Sequence, residues 1–410
     1  MNHYWRKALA SFLVLVLIAA FCLSCGGGGQ PGVVTIKIGE ITDFTGPGSP
    51  AVITLHYCLQ DMVKYYNDEG LIPGVKLEIV SYDTKYDASR DIPGYEWAKS
   101  KGAKMIVGIL PQTGPMLMPF AARDKIPLAA LSCHRDTLNP PGWVFNMSNS
   151  SDMNMRTLLK WISEEHWDYS KGTPKLGLVG WQENMIVVLN DVMKDYAEEN
   201  PNSFDYLGAR IVPFGQVGWA GEVEALKDCD YVAALGFPMG NIIKEFHQRG
   251  YKPTFIDPST GAASYRGFLV DMLGYESLDG TLTSNSAPFW TDDTPIVRLA
   301  KQFLEQYRPK QAEDVIYAGL AYVGGVHNLL NTFQILANAI EAVGPENFSG
   351  QAYYDAATQF KTSGPLWEGY PQWEFTATKR YLVNDVIISE FSAEAQDLVN
   401  LSGWLPLITD

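Results

Sequence analysis

Short β-branched runs alternate with segments of helical apolar spacing, twice over, and this pattern most narrows what the chain can fold into. Val34-Thr35-Ile36-Lys37-Ile38-Gly39-Glu40-Ile41 reads as a strand. Ser49-Pro50 then reads as a helix start, with Ser49 as the N-cap and Pro50 in the first turn. Val52, Leu55, Leu59, Met62, Val63 and Tyr66 recur at helical spacing up to Gly70, and Val75–Val80 is the next strand. The alternation continues with a helix over 91–101, a strand over 105–110, a helix opened by Thr113-Gly114-Pro115 and a short strand over 127–131. Strands alternating with helices imply a parallel sheet covered on both faces. After a loop-like stretch over 143–151, a second run begins: strands over 175–180, 208–214, 231–235 and 254–256, with helices over 187–198 and 241–249. Residues 261–286 read as a return segment, 316–343 as one long apolar helix, and 365–391 as β.

The N-terminus sets the compartment. Arg6 and Lys7 precede an apolar stretch, Ala8 to Leu23, which ends in Ser24-Cys25 and a run of glycines. This is the layout of a secretory signal, and the apolar part is short for a membrane span, which needs about twenty residues. A small residue before a cysteine at that point resembles a bacterial lipobox, with Cys22 in place of the usual aliphatic residue. The resemblance implies that residues 1–25 are a lipoprotein signal, that Cys25 carries lipid, and that 26–32 form a flexible tether.

The formal charge is −15, and loss of Arg6 and Lys7 makes it more negative still. Such a chain is poorly suited to nucleic acid or to anionic lipid, so contact with the membrane is expected through the anchor alone. Cys58, Cys133 and Cys229 follow Cys25 without CxxC spacing, which fits neither a disulfide framework nor a zinc site. One bridged pair or three buried thiols are both open. Cys133-His134 invites the idea of a thiol nucleophile, but adjacent residues seldom face one another and no orienting Asn or Asp is evident. The histidines have no metal spacing, and no GxGxxG, GxSxG or phosphate-binding loop is present. No enzyme activity, metal or cofactor is expected.

Residues 36–47, Ile-Lys-Ile-Gly-Glu-Ile-Thr-Asp-Phe-Thr-Gly-Pro, resemble the opening of type I periplasmic binding proteins, in the branch of branched-chain amino acid and amide receptors of ABC importers. Further segments match in the family's order: 82–87, 107–114, 126–132, 248–253 and 364–366. The resemblance implies two doubly wound α/β lobes joined by three crossovers, with a ligand held in the cleft as the lobes close. Lobe one is expected to comprise 33–147 plus 261–370, and lobe two 148–260 plus 371–410. The function implied is that of a monomeric, lipid-anchored, extracytoplasmic solute receptor that captures an amino acid-like, amide or carboxylate ligand and delivers it to ABC permease subunits. A ligand-sensing protein of the same fold, not coupled to transport, is the alternative.

Pockets in open α/β sheets form beyond the carboxyl ends of strands, beside helix N-termini. Asp43, Phe44, Thr45, Gln112, Thr113, Ser132, Cys133 and His134 lie on such loops in the first run and are the expected ligand contacts from lobe one. Thr113 is expected both to cap its helix and to face the cleft. Trp181, Met185, Phe237 and Ser259 are the expected contacts from lobe two. At the Ser259 position the family's amino-acid receptors carry an acid for the ligand ammonium. A buried ammonium without an anion is costly. Either Asp43, Glu183 or Asp257 supplies that anion, or the ligand is not an α-amino acid.

Overall fold

The computed structural model describes residues 32–409, except Phe237. Two sheets form from the two alternating runs. The first joins β1 (Val34–Thr42), β2 (Val75–Asp83), β3 (Ala103–Gly108), β4 (Leu128–Ala130) and β5 (Val144–Asn146), all parallel, in the order β2-β1-β3-β4-β5. The second is built on β6 (Lys175–Trp181), β7 (Asp205–Val212), β8 (Tyr231–Ala234), β9 (Thr254–Asp257) and β10 (Leu282–Asn285), again parallel. It ends in antiparallel β11 (Asp385–Ser392) and β12 (Asp397–Asn400), in the order β12-β11-β10-β9-β8-β6-β7, and Leu405–Pro406 pairs with β11.

The chain crosses between the sheets three times: after β5, after β10 and before β11. The crossings fall later than the sequence suggested. Residues 261–278 are not a return segment but three short helices that lead from β9 to the parallel strand β10, so they stay with the second sheet. The return begins after Asn285 and lasts to Leu382. Tyr381 bridges Asn146, and Leu382 N–H donates to Asn146 O at 2.9 Å, which extends the first sheet by a strip of chain. Of the expected β region over 365–391 only Asp385–Ser392 forms a strand; its Trp and Tyr residues pack as side chains instead. The long helix is divided at Gly319 into Ala312–Ala318 and Ala321–Val343.

Ala321–Val343 lies against the helix Ser49–Asp68 and completes the apolar cover of the first sheet. Its mean hydropathy is high because nearly every face is buried, and no helix among the described residues is long and apolar enough to cross a membrane. A buried polar junction fixes this return segment: Asp61 Oδ2 accepts Arg308 Nε at 2.6 Å and the Tyr322 hydroxyl at 2.7 Å. Cys58, Cys133 and Cys229 are buried free thiols, which settles the sequence alternative against a bridge. Cys25, the signal and the tether as far as residue 31 lie outside the described residues.

Candidate functional site

A cavity of about 480 Å3 opens between the lobes beyond the carboxyl ends of β2, β3 and β4 on one side and of β6 and β7 on the other. Tyr86, Pro111, Gln112, Pro115, Met116 and His134 line it from lobe one. Glu183, Asn184, Met185 and Phe214 line it from lobe two. The wall is mostly apolar with a few polar groups, the usual make-up of a small-molecule site.

Three of the expected contacts, Gln112, His134 and Met185, line this cavity. His134 ends the loop after β4, is 3% exposed, and neither of its ring nitrogens has a partner in the protein. Burial lowers its pKa, so at neutral pH the ring is uncharged and offers one donor and one acceptor. Glu183 sits just before the helix Asn184–Glu199, with extended backbone. Burial raises its carboxyl pKa, and its Oε2 accepts the Tyr86 hydroxyl across the cleft at 3.4 Å. The Tyr86 ring also stacks on Phe214, with centroids 6.2 Å apart, so one side chain of lobe one touches two residues of lobe two.

The other expected contacts are engaged elsewhere. Asp43 is fully buried and its two oxygens accept the N–H groups of Gly46 and Gly48, at 2.5 and 2.7 Å, which folds its own loop. Gly48 therefore precedes the first helix, and Ser49 begins it without a side-chain cap. The Phe44 N–H and the Thr45 hydroxyl donate to Asp83, and the Phe44 ring rests edge-on to His56. Thr113 starts its helix without capping it; its buried hydroxyl lies toward Asp91. Ser132 lines a separate cavity of about 120 Å3 near the crossovers, with Ser148, Thr260 and Ser286. Cys133 does not face the cleft: it packs in the core with Ile41, Leu117 and Val144, and burial raises its thiol pKa, which disfavours the thiolate that a nucleophile needs. Trp181 packs on Phe214 at 4.9 Å and donates its indole N–H to Gln216 O. Ser259 donates its hydroxyl to Asp257 and accepts the Gly261 N–H. Phe237 lies outside the described residues.

The three candidate anions are now separable. Asp257 accepts from Ser259 N, Ser259 Oγ and Ala262 N, so its oxygens fold the loop after β9. Burial pushes its carboxyl up to about 6. Asp43 is used in the same way. Glu183 alone of the three lines the cavity. Sequence reasoning missed Tyr86, Met116 and Phe214. The acidic segment over 82–87 was a signal for the first; Lys85 and Tyr86 both take left-handed backbone there, with φ of 54° and 60°, which turns the Tyr86 ring toward lobe two.

The sequence profile of a family described as periplasmic binding protein matches residues 35–395. Among curated protein sequences none matches this one. A branched-chain amino acid ABC transporter protein from Thermus thermophilus, solved with bound valine, has a similar structure: TM-score 0.79, 19% identity, covering 92% of this chain and 97% of its own. So does a fatty acid ABC transporter substrate-binding protein from Thermomonospora curvata, at TM-score 0.74 and 16% identity, covering 93% and 95%. A solute-binding protein from R. palustris in complex with benzoate gives TM-score 0.72 and 16% identity, covering 92% and 98%. At these identities the likeness speaks for the fold.

Proposed function

The chain belongs to the periplasmic binding protein family, whose members are extracytoplasmic binding proteins, and from that premise we propose that it captures a small amino acid-like solute with an apolar body between its lobes and delivers it to an ABC permease. The observation that carries this is the interlobe cavity with His134 unpartnered on one wall and Glu183 on the other. A neutral imidazole accepts from, or donates to, the solute's polar end. Glu183 pairs with its ammonium, which also relieves the cost of a half-buried carboxylate. Met116, Met185, Pro115 and Phe214 receive the apolar body, and methionine adapts to irregular shapes.

Calorimetry with valine, benzoate and octanoate on the native chain and on Glu183→Gln tests this reading. Valine is expected to bind the native chain and to lose about ten- to a hundredfold affinity in the variant, the worth of a charge-assisted contact of roughly 1.5–3 kcal/mol. Benzoate or octanoate binding more tightly than valine, with Glu183→Gln improving it, would replace the amino acid-like class with a carboxylate. His134→Leu should weaken whichever solute binds; unchanged affinity would show that the cavity is not the site.

We further place the protein at the membrane face as a monomer held by lipid on Cys25, supported by the small residue and cysteine that end the apolar stretch. Labelled fatty acid should enter the native chain and be absent from Cys25→Ser. Equal labelling of both would remove the anchor from the proposal.

A further inference from the structure

A second cavity, of about 320 Å3, lies on the other side of the crossovers from the cleft. Strand order shows this. The cleft residues follow β6 and β7, at one end of the second sheet, whereas this cavity takes Asn285 from the end of β10, Ile387 from β11 and Asn400 from β12. The returning chain closes it with Phe289, Asp292 and Tyr370. It is therefore lined by both lobes.

Asn285 is the informative residue. It is 2% exposed, and neither its amide nitrogen nor its amide oxygen has a partner in the protein. It pairs with Ile387 across the antiparallel ladder, and Ser389, two residues on, pairs with Asn400. Cross-strand partners and residues two apart share a face, so Asn285, Ile387 and Asn400 look the same way, into the cavity. An amide oxygen buried without a donor costs about 1–3 kcal/mol, which an N–H group of a bound molecule would relieve.

Charge narrows the molecule. Asp292 and Asp293 line the cavity, and among the described residues no Lys, Arg or His does. Asp293 is paired with Arg298. Asp292 accepts the Phe289 N–H at 2.8 Å, and burial raises its carboxyl pKa, with the charge of Asp397 adding to the rise. The Tyr370 and Trp404 rings, 5.8 Å apart and tilted by 52°, form an aromatic wall beside it. A carboxylate, an amide oxygen and aromatic faces together suit a cation with an organic body.

We propose that this rear cavity is a second binding site, for a small organic ammonium ion, with Asp292 and Asn285 holding the charged end and Ile387, Tyr370 and Trp404 the body. The site is separate from the cleft and does not depend on which solute the cleft takes. The test uses the full chain carrying Glu183→Gln, so that the cleft has no competing anion. Calorimetric titration with n-butylammonium should show saturable binding at one site, at least tenfold tighter than n-butyramide. Asp292→Asn added to that chain should weaken n-butylammonium at least tenfold. Ile387→Lys, which puts the protein's own ammonium into the cavity from a half-buried position on β11, should abolish binding and decides the matter if Asp292→Asn fails to fold. Equal binding of butyramide would overturn the charge assignment. No saturable binding, or binding unchanged in either Asp292→Asn or Ile387→Lys, would overturn the site. Failure here leaves valine binding in the cleft untouched, so the two readings fail separately.

Discussion

Gly319→Ala is expected to destabilise the chain on the order of 4 kcal/mol, the sum of backbone strain and overpacking of about 1–3 kcal/mol each. Gly319 has φ of 132°, a backbone that residues with a Cβ rarely adopt. A Cβ there would lie 2.3 Å from Ala263 O and 2.7 Å from Ser264 O, both backbone atoms of the second lobe that cannot swing aside. The same stretch carries two fixed hydrogen bonds, Leu320 N–H to Ala263 O at 2.9 Å and the Trp290 indole to Gly319 O at 2.8 Å. Urea denaturation should show a much lower midpoint. Gly221→Ala is the matched control: a Cβ there meets nothing within 4 Å inside the helix Ala220–Ala225, so it should stabilise by up to ~1 kcal/mol. A Gly319→Ala midpoint equal to that of the native chain would mean that the lobes are not packed against each other at this point.

The second large effect concerns pH. Asp91 is fully buried, no hydrogen bond of normal geometry reaches either carboxyl oxygen, and burial pushes its pKa up from 3.8 to about 7. Because the folded value is raised, the folded chain keeps a proton that the unfolded chain gives up. Below about pH 4 both states are protonated and there is no cost. As pH rises from about 4 to 7 the unfolded state gains, and stability falls by about 4 kcal/mol, at 1.36 kcal/mol per unit. Asp91→Asn has no proton to keep. The stability of the variant relative to the native chain should therefore rise by about that amount between pH 4 and 8, while other groups, such as Asp257, cancel in the difference. A difference that stays flat with pH would show that the Asp91 carboxyl ionises normally in the fold. Thr113 lies beside Asp91, so ionisation is felt at the start of a cleft helix.

Much of the fold was legible because its signals are local. The β-branched run at Val34, the apolar spacing from Val52 to Tyr66 and the stop at Gly70 each depend only on near neighbours, and each element appears where expected. The lobe boundary was not local. Nothing near Gly261 says that its helices lead to a parallel strand rather than back to the first sheet; that is decided by the pairing of Leu282 with Ile256. The candidate site divides in the same way. The strand-end loops named from sequence contain Gln112 and His134, which line the interlobe cavity. A carboxylate that folds its own loop and one that meets a solute look alike in sequence, so Asp43, Asp257 and Glu183 stood as equals until their hydrogen bonds were visible. Phe214 reaches the cavity from a turn after β7 in the other lobe, a relation that no spacing encodes.

The three crossings bear on the order in which the molecule can be made. The first lobe is not a continuous piece of chain: its sheet is laid down by residue 146, but the helix Ala321–Val343 that covers Leu59 and Met62, and the strip at Tyr381 that extends the sheet, come only near the C-terminus. Contacts that distant in sequence are slow to form. During synthesis the early strands are therefore left with an open apolar face until most of the chain has appeared, and the second lobe waits in turn for β11 and β12. In a chain built this way the residues that line the cleft are all present by Phe214, yet the lobes that hold them in place are finished only by its last third.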